Sequence, residues 1–212
     1  MRTFVFLGDS VTEGCFKLYP TSYGFDTYRD YNAVYHTQLA PMLEAKYGTC
    51  RIINSGISGD NAHRGVERLD RDVLRYKPDC VVVCYGLNDA FHPLELYEKS
   101  LDTIFTRLSG VERVVFMTPN RMNSYVHPDT LPESLKIAER TAEFQKSGAF
   151  DTYIETARKV ASRHNIPVCD AYAYWTKLEK DGVDTTALLA NCINHPNAEM
   201  HGVFARMLAE LL

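Results

Sequence analysis

Three short segments of this chain carry groups suited to covalent chemistry, and a fourth carries the base they would need. The first, Gly8-Asp9-Ser10-Val11-Thr12-Glu13-Gly14, offers a hydroxyl in a tight turn. The second, Asn54-Ser55-Gly56-Ile57-Ser58-Gly59-Asp60-Asn61, and the third, Tyr85-Gly86-Leu87-Asn88-Asp89, offer glycine N–H groups and an asparagine amide. Neutral donors of this kind are the parts of an oxyanion hole. A serine hydroxyl is weakly nucleophilic until an imidazole takes its proton. Ile193-Asn194-His195-Pro196-Asn197 supplies that imidazole at the threshold of a C-terminal helical segment. These residue types suit acyl transfer through a serine.

Groups so far apart in sequence meet only if the fold brings them to one edge. Five short apolar segments read as strands: Thr3–Leu7, Arg51–Asn54, Asp79–Tyr85, Arg113–Thr118 and Pro167–Asp170. The first, third and fourth are continuous apolar runs, as expected of strands buried on both faces of a parallel sheet. Helical spacing fills the stretches Tyr31–Tyr47, Gly65–Tyr76 and Leu94–Leu108. It continues from Glu133 to His164, with Gly148 as a break, and from Asn197 to Leu212. The alternation predicts an α/β fold in a single domain, residues 1–212. In open α/β sheets ligands bind beyond the carboxyl ends of the strands, and the first three segments above follow the first three strands. Two connections, Glu13–Asp30 and Pro119–Pro132, are long enough to be binding loops or plain surface loops.

In order and placement the four segments resemble the blocks of the GDSL, or SGNH, hydrolase family. The matching residues are Gly8-Asp9-Ser10, then Gly59, then Gly86-x-Asn88-Asp89, then His195-Pro196. A single block occurs by chance in many proteins; four in order, spanning nearly the whole chain, are specific. The resemblance implies a three-layer α/β/α sandwich with a five-stranded, mainly parallel, flavodoxin-like sheet. It also implies a serine esterase acting on a small acyl ester, with an acetyl ester of a carbohydrate among the candidates. Ser10 would attack the carbonyl, and His195 would serve as general base and then acid. The N–H of Ser10, the N–H of Gly59 and the Asn88 side chain would line the oxyanion hole. No metal and no cofactor are implied, and Asp9 and Asp89 are expected to hold loops. The same machinery would serve an acyltransferase or a lipid or thioester hydrolase, and a non-catalytic relative would bind ligand without turnover.

One position departs from the family. An aspartate ordinarily stands three residues before the histidine, and here that residue is Cys192. A thiol is a poor acceptor for an imidazole N–H, so another group must orient His195. Asn191, through its amide oxygen, is one candidate; a backbone carbonyl and Asp184 are the others.

Composition excludes several other classes. With 45% hydrophobic and 24% charged residues, the chain is ordinary for a globular protein. A formal net charge of -4 with scattered basic residues lacks the footprint of a nucleic-acid binder. No apolar run approaches the ~20 residues that cross a bilayer, and no signal-like region opens the chain. The expectation is therefore a cytoplasmic enzyme of a small-molecule ester, with neither nucleic acid nor membrane as partner. Six cysteines without a Cys-x-x-Cys pair read as reduced thiols. No His and carboxylate spacing suits a metal. The first loop lacks a phosphate-loop pattern and carries Asp9 and Glu13, which repel phosphate. His201 reads as a helix residue facing solvent or the protein.

Overall fold

In the computed structural model, which describes all residues 1–212, the apolar runs sort themselves by strand alternation. Along β1 (Arg2–Gly8), Phe4 and Phe6 enter one core, while Val5 and Leu7 enter the other. This two-sided burial is why the run is continuous rather than alternating. The chain then passes through a single turn of helix, α1 (Ser10–Glu13), and a hairpin, β2 (Cys15–Thr21) with β3 (Gly24–Arg29). It continues with α2 (Tyr35–Tyr47), β4 (Cys50–Gly56), α3 (Ala62–Asp72), β5 (Cys80–Cys84), α4 (Leu94–Arg107) and β6 (Arg113–Met117). The last elements are α5 (Leu135–Lys146), α6 (Ala149–Arg163), β7 (Val168–Cys169), α7 (Ala171–Lys180) and α8 (Ala198–Leu211).

The central sheet has the order β4-β1-β5-β6-β7, and all four pairings are parallel. On one face Phe4, Phe6, Val82 and Val115 pack against Leu39 and Leu43 of α2, Trp175 of α7, and Phe204 and Leu208 of α8. On the other, Val5, Leu7, Val81 and Val83 meet Leu69 of α3, Leu101 and Ile104 of α4, and Val160 of α6. Each such side chain, fully buried, contributes roughly 1.5–3 kcal/mol. The result is the expected three-layer sandwich with a flavodoxin-like strand order. No helix is long and apolar enough to cross a membrane.

Strand β1 is where the order reverses: the chain steps outward to β4, then back across β1 to β5. The crevice beyond such a switch point is where open α/β sheets bind ligands. Ser10 follows β1, Gly59 follows β4, and Asn88 follows β5.

The Glu13–Asp30 connection is not a loop. Most of it forms the β2–β3 hairpin, turned by Ser22 and Tyr23. The hairpin has no Asn-Gly or Asp-Gly turn, and Pro20 inside β2 argues against a strand. Pairing between the two segments overrides both signals. The 119–132 connection is irregular but clamped: Asn123 N–H donates to Ile193 O at 2.8 Å, and Ser124 N–H to Thr186 Oγ1 at 2.9 Å.

Candidate active site

Ser10 opens α1 directly after β1, and Asp9 caps that turn by accepting the Val11 N–H at 2.9 Å. The Ser10 Oγ lies 2.9 Å from His195 Nε2. On the opposite side of the ring, His195 Nδ1 meets the backbone carbonyl of Phe16 at 3.1 Å. A carbonyl only accepts, so Nδ1 carries the proton and Nε2 is left as the acceptor for the serine hydroxyl. Both residues are nearly buried, Ser10 at 5% exposure and His195 at 6%. Burial lowers the His195 pKa from 6.5 to about 4, partly offset by the Phe16 carbonyl. The ring is thus neutral, as a general base must be.

Of the three orienters left open by the sequence, Phe16 O is the group in contact; Asn191 is not. The Asn191 Oδ1 turns back into its own loop and accepts the N–H groups of Ile193, Asn194 and His195, each within 3.0 Å. Three converging donors outcompete a single imidazole N–H for that oxygen. Asp184 is engaged elsewhere, accepting the Tyr125 hydroxyl at 2.6 Å and two backbone N–H groups. The loop that carries His195 is closed by an antiparallel bridge between Leu189 and Pro196 and by Ala190 N–H donating to His195 O at 2.7 Å. Asn120 Nδ2 adds a bond to Asn194 O at 3.0 Å.

Gly59 stands exposed in the loop after β4 with φ +75°, a left-handed conformation that favours glycine. The N–H groups of Ser10 and Gly59 donate to no protein acceptor. Asn88 spends one amide proton on Asp60 O at 2.7 Å, leaving the other. Asp89 Oδ1 accepts the Ala62 N–H at 2.9 Å. Asp9 and Asp89 are both buried, and burial raises each pKa from 3.8 to about 7. The loop after β4 lies tight on α1: a Cβ at Gly56 would sit 2.2 Å from Glu13 N.

Beneath these loops lies Arg68, which the sequence reading passed over. It projects from α3 and is 6% exposed. Its Nε donates to Asp60 Oδ2 at 2.7 Å, Nη1 to Ser55 O and Asp72 Oδ2, and Nη2 to Gly8 O and Tyr85 OH. All five guanidinium donors are engaged, at the ends of β1, β4 and β5 together. An arginine next to Leu69, on a helix face that also buries Ala62 and Gly65, is the signal that would have found it. Phe16 had no such signal, because any residue supplies a carbonyl.

His201 faces the protein interior. Its Nδ1 accepts the Tyr35 N–H at 3.2 Å, and burial lowers its pKa to about 3. Cys192 lines a cavity of about 560 Å³ with Lys17, Leu18, His127 and Leu131; neither Ser10 nor His195 lines it. No three His, Cys, Asp or Glu side chains come together in a way that could hold a metal ion. What the arrangement offers is a hydroxyl, a neutral base of defined tautomer and unengaged neutral donors.

Residues 6–203 match the sequence profile of the GDSL-like Lipase/Acylhydrolase family. An acetylxylan esterase from Geobacillus stearothermophilus is 28% identical over 130 residues, 54% of this chain and 58% of that relative. The match thus spans little more than half the length of that relative. The structure of a lipase/acylhydrolase from Enterococcus faecalis superposes with a TM-score of 0.75 at 25% identity, covering 100% of this chain and 95% of the other. The structure of Axe2, an acetylxylan esterase from Geobacillus stearothermophilus, shares the fold, with a TM-score of 0.72 at 23% identity over 99% of this chain and 93% of the other.

Proposed function

The chain belongs to the GDSL-like lipase/acylhydrolase family; from that premise we propose that it is a carboxylic ester hydrolase that cleaves a small acyl ester, an acetyl ester of a carbohydrate, through a Ser10–His195 dyad. The single observation that carries the dyad is the 2.9 Å contact between Ser10 Oγ and His195 Nε2, with Nδ1 already committed to Phe16 O. Ser10 Oγ attacks the ester carbonyl carbon as its proton passes to His195 Nε2. The new oxyanion takes hydrogen bonds from the N–H groups of Ser10 and Gly59 and the remaining amide proton of Asn88. Collapse of the tetrahedral intermediate breaks the bond to the alkoxy oxygen, which leaves as alcohol with the proton from Nε2. Water then repeats the sequence on the acyl-serine, releasing the acid and restoring Ser10. Each neutral oxyanion donor of this kind is worth about 10²–10³ in turnover.

The acetyl part rests on the acetylxylan esterases among the relatives and on the narrow access implied by 5–6% exposure of Ser10 and His195. The test is mass-spectrometric mapping after fluorophosphonate treatment, followed by acetate release from acetylated xylo-oligosaccharides. A stoichiometric adduct on Ser10 is expected, and Ser10→Ala should lose the adduct and lower kcat by roughly 10⁴–10⁶. Because His195 stays neutral down to about 4, kcat/KM should fall on the acid side only near that pH. Well-folded protein that takes no label would favour a ligand-binding role without turnover. Labelling with preference for longer acyl chains would move the substrate to a lipid or thioester.

A further inference from the structure

The dyad leaves unexplained a charged pair that ties its two supports together. Glu13 closes α1, one turn beyond Ser10. Its Oε2 accepts the N–H of Ser58, the residue before Gly59, at 2.5 Å. Its Oε1 accepts Arg29 Nε at 2.7 Å. Arg29 ends β3, where it pairs with Cys15 of β2, and the next residue along β2 is Phe16, whose carbonyl meets His195. The guanidinium is braced from within the hairpin, donating to Thr27 O at 2.9 Å. The Glu13 carbonyl in turn accepts Asn54 Nδ2 at 3.1 Å, which fastens α1 to β4.

We infer that Glu13 and Arg29 are positioning residues of this site, one ion pair setting both the oxyanion loop through Ser58 and the base through the hairpin. The inference rests on the Ser10–His195 reading above. Three elements meet at this pair: the turn that bears the nucleophile, the loop that bears Gly59, and the hairpin that orients the imidazole. With side chains 32% and 19% exposed the pair is partly buried, and small displacements of the reacting groups it braces are costly to turnover.

The two charges also act on the imidazole in opposite senses: Arg29 opposes its protonation and Glu13 favours it. The other titratable groups packed here are Cys15 of β2, whose thiol donates to Glu13 Oε2 at 3.8 Å, Asp26 of β3, 3.7 Å from Arg29 Nη1, and His201 from α8, itself kept neutral by burial. Loss of one charge or of the other should therefore move the imidazole pKa in opposite directions.

The test uses the full chain with isotopically labelled histidine, reading the His195 titration by NMR beside hydrolysis of p-nitrophenyl acetate. Arg29→Gln should raise the His195 pKa and Glu13→Gln should lower it, while Arg29→Lys should leave it near that of the unaltered protein. Arg29→Gln and Glu13→Ala should lower kcat about tenfold to a hundredfold with KM little changed, the scale of a 1 Å misplacement. The exchange Glu13→Arg with Arg29→Glu re-forms an ion pair but leaves the Ser58 N–H without its acceptor, so kcat should stay low; full rescue would mean that only the staple matters. A His195 titration that is unmoved, or moved the same way by both glutamine variants, overturns the inference. So does a kcat within about twofold in Arg29→Gln and Glu13→Ala. The NMR titration is read whether or not an ester is turned over. Failure of the unaltered protein to hydrolyse p-nitrophenyl acetate would therefore count against the dyad and leave the titration to decide this inference.

Discussion

Beneath Ser10, Gly59 and Asn88 lies a guanidinium with every donor engaged; behind His195 lies a single backbone carbonyl. The nucleophile half is built on the ends of β1, β4 and β5, and Arg68 reaches Gly8 O, Ser55 O and the Tyr85 hydroxyl from one buried position. The base half is a loop filled by its own Asn191 and faced by a hairpin whose Tyr19 and Tyr28 are 45% and 55% exposed. The first half is held by side chains that a single substitution removes. In the second, the group that meets the imidazole is main chain, which substitutions leave in place, although side chains such as Asn191 and the Glu13–Arg29 pair brace the segments that carry it. Where the family resemblance leads one to expect an aspartate, the imidazole thus meets a carbonyl that does not depend on which residue bears it.

The sharpest test of the contrast is Arg68→Met. It would leave Asp60, 1% exposed, buried without the Arg68 guanidinium, and would take the donor from acceptors at three strand ends at once. Breaking a buried pair in this way costs about 3–5 kcal/mol, to be read from urea unfolding midpoints. A loss below about 1 kcal/mol, the size expected of an exposed pair, would mean that the nucleophile half is no more tightly fastened than the base half.

The same contrast governs what could be read in the sequence. Strands β1, β5 and β6 were legible because burial on both faces writes an unbroken apolar run, as in Val81–Val83. The placement of Ser10, Gly59, Asn88 and His195 was legible because they follow strand ends or precede a helix in a fixed order. Arg68 was hidden as one charge among several on a polar helix, although its neighbour Leu69 is fully buried. Phe16 was illegible in principle, since a carbonyl has no residue type. Asn191 was a natural candidate from its closeness in sequence, but a residue four positions before His195 on a tight turn can also satisfy the turn itself, and here it does. The hairpin escaped because Pro20 and a turn without Asn-Gly contradict the pairing that forms.

The two halves should also respond to acid in opposite senses. Asp9 and Asp89 titrate near 3.8 when unfolded but about 7 when folded, because burial penalises the charge. The folded state therefore holds more protons than the unfolded between those values, and stability from this half is lost as pH rises toward 7. His195 and His201 are lowered from 6.5 to about 4 and about 3. Their contribution is present above 6.5 and is lost as pH falls. Asp89→Asn keeps an oxygen for the Ala62 N–H and cannot ionise. Its stability relative to the unaltered protein should grow from pH 4 to 7, by up to about 4 kcal/mol, in urea midpoints taken across that range. A difference that is flat with pH would show that Asp89 is solvated in solution and the nucleophile half is not dry.

The smallest expected effect belongs to Cys192→Asp, which restores the residue type the family has at this position. Cys192 adopts φ +58°, a region that aspartate enters more readily than most residues, so the variant should fold. Its side chain borders the cavity shared with Lys17, Leu18 and His127, which His195 does not line. Burial, and after it the nearby charge of Asp129, raises the Cys192 thiol pKa, and both would disfavour a second carboxylate there. The Nδ1 proton of His195 is meanwhile committed to Phe16 O at 3.1 Å. A carboxylate would have to displace that bond and rebuild the turn around Asn191 to reach the ring. kcat/KM for p-nitrophenyl acetate should thus change by less than about threefold, under ~1 kcal/mol in the barrier. A gain of tenfold or more would mean that the main-chain orienter is an inferior substitute, and that the base half is lean by loss rather than by design. An unchanged rate would make the carbonyl a sufficient partner and place the missing aspartate outside what limits this enzyme.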